Sequence, residues 1–401
     1  LEVRIPAAGD VTGSVHVTFT PDLPTGRLVF RLWPNGPLQA SEGAHLDAGP
    51  ITSAGSTLAA ATPDPTTLVV RLGRTLAPGR PVTVDMPFRL RLPGAVRDRL
   101  SRSGDAVRLG SFFPILAWEP GVGWDTDPPT RLLAETSSTP TADFDVHVTA
   151  PAGDTLLTTG TPAGPGRYTA TAVRDFAIAA GKLDTYTVTA HAPGPVRITA
   201  AVEHGEQASA AEVAGRARSA LEALANLYGP YPWPSLDLAV GPDLDRTGIE
   251  YPTLIFLGAD GIARVTTHEV AHQWFYSLVG NDQARDPVLD EGLATYAQAE
   301  LDRIWPYLDG LPDPPGLRPL TGRPTSFWEA RPPDQYELVV YADGARMLHA
   351  LGHSAAVTCA LRRYVAENAY GIATQADLAQ ALTTGVPGAR HVLAAHGVPP
   401  R

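Results

Sequence analysis

Polar and apolar residues alternate one by one over short stretches in the first half of the chain. Eight such stretches, rich in Val, Thr and Phe, are separated by clusters of Pro and Gly. A period of two places successive side chains on opposite faces of a β-strand. The stretches cover residues 14–20, 27–33, 67–72, 82–92, 143–150, 167–178, 185–190 and 196–203. The pattern predicts an all-β N-terminal domain, a sandwich or a saddle-like sheet, over residues 1–204.

The period changes to that of a helix at Ser209. Ser209 and Glu212 have the spacing of a capping box, and apolar residues then recur at helical spacing as far as Gly229. Two further strands and several helices are predicted downstream. The strands cover residues 236–240 and 249–257. We therefore predict an α+β protein with a boundary near residue 205 and a second domain of mixed sheet and helix over residues 205–401.

The second domain contains the sequence His-Glu-Val-Ala-His at residues 268–272. On a helix, His268 and His272 project from one face with side chains about 5 to 6 Å apart, a spacing that one divalent metal can bridge. Glu291 follows His272 by 19 positions, near the start of a helix predicted from 287 to 301. Two His and one Glu leave the fourth position of a tetrahedral zinc site open, which is typical of catalytic zinc.

The residues around this motif predict a buried helix. Apolar positions recur with the helical period from Val265 to Leu278, and Gly280 with Asn281 would end the helix. A second pair, His349 and His353, is also four positions apart but has no glutamate between its members. We predict a structural role for that pair.

Together with two further segments, these motifs resemble the gluzincin metallopeptidases of the aminopeptidase N and leukotriene hydrolase family. The segment 247–251, Thr-Gly-Ile-Glu-Tyr, is similar to the family's Gly-x-Met-Glu-Asn strand, and 341–344, Tyr-Ala-Asp-Gly, is similar to its Tyr-x-Lys-Gly segment. Thr247, Tyr251 and Asp343 depart from those patterns. The resemblance covers roughly residues 110–385. It implies a thermolysin-like catalytic domain in a short form that lacks the family's helical C-terminal domain.

The resemblance also implies a role for each residue of the site. His268, His272 and Glu291 would hold one zinc ion, with Glu269 as the general base. Tyr341 would stabilise the transition state, and Glu250, on the strand that contains Gly248, would bind the amino terminus of the substrate. Glu119 lies in the region where the family has a second anchor for that amino terminus.

These features predict zinc-dependent hydrolysis of peptide bonds, with release of residues from the amino termini of peptides. Two alternatives remain open. The protein could be a zinc endopeptidase or a dedicated peptide-processing enzyme if Glu250 does not face the substrate. It could also be a binding protein whose zinc domain is catalytically idle.

Composition narrows the choice of partners. The net charge of −11 comes without a basic stripe, which argues against nucleic acid, and no apolar run reaches membrane-spanning length. Lys182 is the single lysine among 31 basic residues, as in proteins of high-GC bacteria. The chain begins at Leu1 without a methionine. If a leader has been removed, we expect export or association with the cell envelope, and otherwise a cytoplasmic location. In either case we expect a monomer that acts on peptides.

Overall fold

The computed structural model describes residues 1–132, 139–313, 316–352 and 355–398. In that part of the chain, the N-terminal strands form one nine-stranded sheet, two four-stranded sheets and a two-stranded hairpin. The strands of the large sheet are Glu2–Arg4, Val11–Phe19, His45–Ala48, Thr52–Ser53, Ser56–Thr57, Val82–Arg91, Ala142–Thr149, Thr161–Gly164 and Arg167–Val173. Each predicted stretch overlaps a strand. The predicted α+β fold with a β-rich N-terminal half is confirmed.

The smaller N-terminal sheets complete this half. One contains Leu100–Ser103, Ala106–Leu109, Thr155–Thr158 and Ile178–Gly181. The other contains Thr25–Arg31, Ala59–Asp64, Thr67–Leu76 and Ile115–Leu116, and the hairpin pairs Trp118–Glu119 with Gly123–Trp124. Two short helices, Trp33–Asn35 and Pro37–Ser41, lie between strands.

A five-stranded sheet connects the β-rich half to the helices. Its spatial order is Leu183–His191, Pro195–Glu203, Ser235–Gly241, Leu254–Gly258 and Gly248–Tyr251. The predicted boundary at residue 205 falls between the second and third of these strands along the chain. The division into 1–204 and 205–401 stays a prediction, and the strand pairing favours a division before Leu183.

The last two strands of this sheet form a hairpin over residues 248–258, which we call the edge hairpin. The sequence predicted one strand over 249–257, and that prediction was wrong. A turn at Pro252 and Thr253 separates the two strands, and Thr253 has a φ of +61°. The outer strand, Gly248–Tyr251, lies at the edge of the sheet, as predicted for Glu250.

Helices and short turns make up most of the remaining chain. The α-helices are Ala210–Tyr228, Ile262–Ala271, Glu291–Asp302, Trp305–Gly310, Thr325–Trp328, Pro333–Tyr336, Gly344–His349, Ala355–Asn368, Gln375–Gly385 and Ala389–Ala395. A π-helical segment covers Glu337–Asp343, and 3₁₀ turns cover Pro242–Leu244, Ala259–Gly261, Pro287–Leu289 and Arg318–Leu320. Gly280–Asn281 pairs with Ile372–Ala373. Among the described residues, no helix is both long and apolar enough to cross a membrane.

The helix that carries the histidine motif is shorter than predicted. We call it the motif helix, and it covers Ile262–Ala271 with His272 as its C-cap. Beyond it, the amides of Ser277, Leu278 and Val279 donate to carbonyls five residues earlier, at 2.9 to 3.2 Å. These wider turns replace the helix predicted as far as residue 278, although the residues stay buried.

Arg174 joins the β-rich half to these turns. Its guanidinium group is buried and donates to the carbonyl oxygens of Ser277 (3.3 Å), Thr139 (2.9 Å) and Gly371 (2.9 Å). Burial lowers the pKa of Arg174 to about 10. One side chain therefore holds three distant segments together.

We expect Arg174→Met to lower the free energy of unfolding by about 3 kcal/mol or more, because three buried carbonyl oxygens lose their donor. Urea denaturation followed by tryptophan fluorescence measures the loss. Arg167→Met is the control, because Arg167 pairs with Asp145 on the exposed surface. Its denaturation midpoint should stay nearly unchanged, and similar losses in both variants would contradict the role of Arg174.

Candidate metal centre

Three buried donor atoms meet where the motif helix ends and the helix Glu291–Asp302 begins. His268 Nε2 lies 3.0 Å from His272 Nε2 and 3.1 Å from Glu291 Oε2, and His272 Nε2 lies 3.5 Å from the same oxygen. Donors bound to zinc at 2.0 to 2.1 Å in a tetrahedron are about 3.3 Å apart. The structure thus brings the three predicted ligands together at a spacing that fits a tetrahedrally coordinated cation.

The charges around these donors also fit a cation. Burial alone would raise the pKa of Glu291. Hydrogen bonds from His268 and His272, together with the charge of the imidazoles, instead hold that pKa well below its usual range. Burial alone would lower the pKa of His272, but Glu250 and Asp290 raise it well above its usual range. The site therefore attracts positive charge, which protons supply when no metal does.

Asp290 and Gln283 hold His272 from behind. The Nδ1 atom of His272 lies 2.7 Å from Asp290 Oδ1 and 3.1 Å from the carbonyl oxygen of Phe275. Gln283 Nε2 donates to Asp290 Oδ2 at 2.6 Å. Such contacts fix the tautomer of a ligating imidazole and direct Nε2 toward the metal. Sequence reasoning gave no signal for Gln283, which lies in the loop before Asp290.

Glu269 lies beside the three donors, and the edge hairpin packs closely against it. A Cβ atom built on Gly248 would lie 2.5 Å from both Cγ and Cδ of Glu269. Only a glycine lets the strand come this near without displacing the carboxylate. Burial raises the pKa of Glu269 to about 7.

The edge hairpin also brings Glu250 to the site. Glu250 is buried, and one of its carboxylate oxygens lies within 4.8 Å of donor atoms of His272 and Asp290. Gln273 fixes the hairpin, since its Nε2 donates to the carbonyl oxygen of Tyr251 (3.0 Å) and its Oε1 accepts from the amide of Thr253 (2.9 Å). Sequence reasoning missed Gln273. A polar residue between His272 and a run of apolar residues was the available signal.

Tyr341 lies beside two of the three ligands, His268 and Glu291. Tyr341 lies in the π-helical segment Glu337–Asp343. Its ring is nearly parallel to that of His268, with centroids 6.0 Å apart, and its hydroxyl is close enough to the Glu291 carboxylate to feel its charge. Burial and the Glu291 carboxylate raise the pKa of Tyr341, so the phenol remains a donor. Tyr336 packs edge-on against Tyr341, with centroids 5.8 Å apart.

Tyr251 and Asp343, two of the residues that depart from the family patterns, contact residues from other parts of the fold. The Tyr251 hydroxyl lies 3.2 Å from Ser111 Oγ, which connects the edge hairpin to the N-terminal half. Asp343 accepts from Thr321 Oγ1 at 3.1 Å and lies 3.2 Å from His396 Nδ1. These substitutions therefore support the positions of Glu250 and Tyr341.

Two weaker candidates lie in other surroundings. Glu119 is 3.5 Å from Arg285 Nη1, and burial raises its pKa. His349 packs against Trp305 with ring centroids 3.9 Å apart, which agrees with a structural role. His353 lies outside the described residues.

Comparison with known protein families matches residues 214–308 to the peptidase family M1 domain. Mouse aminopeptidase RNPEPL1 is 36% identical over 97 residues, which are 22% of this chain and 14% of that protein. Rat aminopeptidase B is 36% identical over 85 residues, 20% of this chain and 13% of that protein. Leukotriene A-4 hydrolase of Xenopus laevis is 33% identical over 84 residues, 19% and 14% of the two chains. The chain thus aligns with only about a seventh of the length of these relatives.

Solved structures extend the likeness to the whole chain. The M1 zinc metallopeptidase from Deinococcus radiodurans is 20% identical, with a TM-score of 0.68 over 100% of this chain and 93% of that one. A mutant of a two-domain M1 zinc metallopeptidase bound to L-arginine gives a TM-score of 0.69 at 20% identity, over 100% and 92% of the two chains. Residues 214–308 are thus similar to the peptidase family M1 domain, within a chain that has the fold of the two-domain M1 zinc metallopeptidases.

Proposed function

We propose that the protein is a zinc-dependent peptidase that releases residues from the amino termini of peptides. The observation that carries this proposal is the cluster of His268, His272 and Glu291, whose donor atoms lie within 3.5 Å of one another. Glu269 and Glu250 lie beside that cluster. The names of aminopeptidase relatives and of zinc metallopeptidases with this fold support the same reaction.

One zinc ion fits the donor set of two imidazoles and one carboxylate. When bound, zinc supplies Lewis-acid chemistry, which lowers the pKa of a water molecule and polarises the scissile carbonyl. His268, His272 and Glu291 would hold it, and Asp290 keeps His272 in the required tautomer through Nδ1.

Glu269 is the proposed general base. Its carboxylate takes a proton from the attacking water and later gives a proton to the leaving amine. Burial raises the pKa of Glu269, which favours uptake of the proton by its carboxylate. The close backbone at Gly248 restricts the carboxylate to one side of the site.

The remaining groups act on the substrate. The Tyr341 hydroxyl donates to the oxygen that becomes negative as the carbonyl is attacked. The Glu250 carboxylate pairs with the ammonium group at the amino terminus of the peptide, and this contact limits cleavage to the first residue.

One observation favours endopeptidase action as a second candidate. Glu250 lies close enough to His272 and Asp290 to interact with His272, a proposed zinc ligand, rather than with the substrate. In that case no group would select a free amino terminus. Peptides as substrates belong to both proposals, while the monomeric state, bacterial origin and cellular location stay predictions.

We expect Glu269→Gln to retain one zinc per chain and to lower kcat about 10² to 10⁴-fold, because the neutral amide cannot accept a proton. Elemental analysis and a panel of aminoacyl reporter substrates measure the two quantities. Glu367→Gln, on an exposed position of the helix Ala355–Asn368, is the matched control. Equal turnover in the wild type and Glu269→Gln would reject the base, and equally absent turnover would favour the idle binding protein.

We expect Tyr341→Phe to lower kcat about 10² to 10³-fold with little change in KM, because the lost donor acts on developing charge. Tyr336→Phe is the control, since Tyr336 packs against Tyr341, and its effect should stay below about tenfold. Steady-state kinetics on one reporter compares them. A larger loss in Tyr336→Phe would exchange the two roles.

We expect the wild type to cleave a peptide with a free amino terminus at least about 10²-fold faster than the same peptide after acetylation, because a charge-assisted contact is lost. Glu250→Gln should remove most of that preference while zinc content stays unchanged. Mass spectrometry of the products reports the cleaved bond. Equal rates on both peptides in the wild type would favour the endopeptidase.

A further inference from the structure

We propose that Asp125, Asp127 and Asp282 form a second cation site, which takes a hard divalent ion of the Ca²⁺ class. One carboxylate oxygen of each residue lies within 4.8 Å of one oxygen of each of the others. Ca²⁺ binds oxygen at 2.3 to 2.6 Å, so two oxygens on opposite sides of the ion are about 4.6 to 5.2 Å apart. Oxygen donors without an imidazole or a thiolate favour Ca²⁺ over zinc.

Backbone amides hold two of the three carboxylates in place, and one oxygen of Asp125 is left without a donor among the described residues. Asp125 Oδ1 accepts from the amide of Asp127 at 2.9 Å. Asp282 Oδ1 accepts from the amides of Ala284 and Arg285, each at 3.0 Å. The Oδ2 atom of Asp125 has no hydrogen-bond donor in the described part of the chain, although Asp125 is only 2% exposed. Asp282 Oδ2 is also buried and has only the guanidinium group of Arg285 nearby, at 3.2 Å. A buried carboxylate oxygen without a donor, as in Asp125, indicates a missing ligand.

The charges nearby leave an excess of negative charge for an ion to balance. Glu119 joins the three aspartates, and Arg31 and Arg285 oppose them. Burial raises the pKa of Asp282 to about 7 and raises that of Asp125 above its usual range. Without a cation, the burial of these carboxylates therefore costs free energy of desolvation, which the neighbouring arginines only partly offset.

The two arginines differ in whether their side chains can move away from the carboxylates when an ion binds. Arg31 is buried and donates to the backbone carbonyl oxygen of Asp127 at 2.7 Å, so it does not occupy the Asp127 carboxylate. Arg285 Nε lies 2.9 Å from Asp127 Oδ2 and 3.2 Å from Asp282 Oδ2. The Arg285 side chain is 46% exposed, so it can turn toward solvent when an ion binds.

The site would join two distant parts of the chain. Asp125 and Asp127 follow the hairpin of the N-terminal half that ends at Trp124. Asp282 follows the strand Gly280–Asn281 and begins the loop that leads to Glu291. An ion bound here would tie the N-terminal half to the loop before the first metal centre.

Equilibrium dialysis with radioactive Ca²⁺ tests the proposal on the full chain, with zinc restored and held constant and Ca²⁺ first removed on a chelating resin. We expect one Ca²⁺ per wild-type chain and a loss of affinity of at least about tenfold in Asp125→Asn, since a neutral amide replaces a charged ligand. The thermal midpoint of the wild type should rise by about 2 to 5 °C on adding saturating Ca²⁺. The variant should gain less.

Asp184→Asn is the matched control, because Asp184 is an exposed aspartate beside His204, and it should bind Ca²⁺ as the wild type does. Asp127→Asn is the second variant, since its side chain is 40% exposed and the change is compatible with folding. No Ca²⁺ bound by the wild type at millimolar concentration would overturn the proposal. So would unchanged affinity in Asp127→Asn and Asp125→Asn, or Mg²⁺ binding as tight as that of Ca²⁺.

Discussion

The balance of charge around His272 is the constraint on which the catalytic half of the structure depends. Glu250, Glu269, Asp290 and Glu291 are buried close to two imidazoles, and each comes from a different turn, strand or helix. Buried carboxylates persist only when they are paired, hydrogen-bonded or bound to a cation. The packing of the edge hairpin, the motif helix and the following helix therefore gains stability from the same positive charge that serves the chemistry.

Much of this arrangement could be predicted from local patterns. A period of two marked the N-terminal strands because each has one buried face, and the spacing of His268 and His272 placed both on one helical face. The end of the motif helix could not be predicted. Trp274, Phe275 and Leu278 are buried in wide turns just as they would be in a continued helix, so apolar recurrence does not distinguish the two.

Contacts between distant residues were the other part that the sequence left open. The strand Pro195–Glu203 pairs with Ser235–Gly241 across a helix of 19 residues, and alternation within a strand does not identify its partner. The same holds for Gln283 on Asp290 and for Arg174 on three carbonyls. The role of each of these residues becomes clear only when the fold shows which distant groups it contacts. Glu291 was identified in advance from its distance to the histidine motif, and Tyr341 from its order in the family's motifs.

Gln273 has a consequence for the alignment of the edge strand. Its side chain hydrogen-bonds to the backbone on both sides of Pro252, at the carbonyl of Tyr251 and the amide of Thr253. These two bonds fix the position of the hairpin turn relative to the motif helix. Because side chains alternate between faces, a slip of one residue would turn Glu250 away from the metal centre. The residue next to His272 therefore sets the register that places Glu250 beside the candidate metal centre.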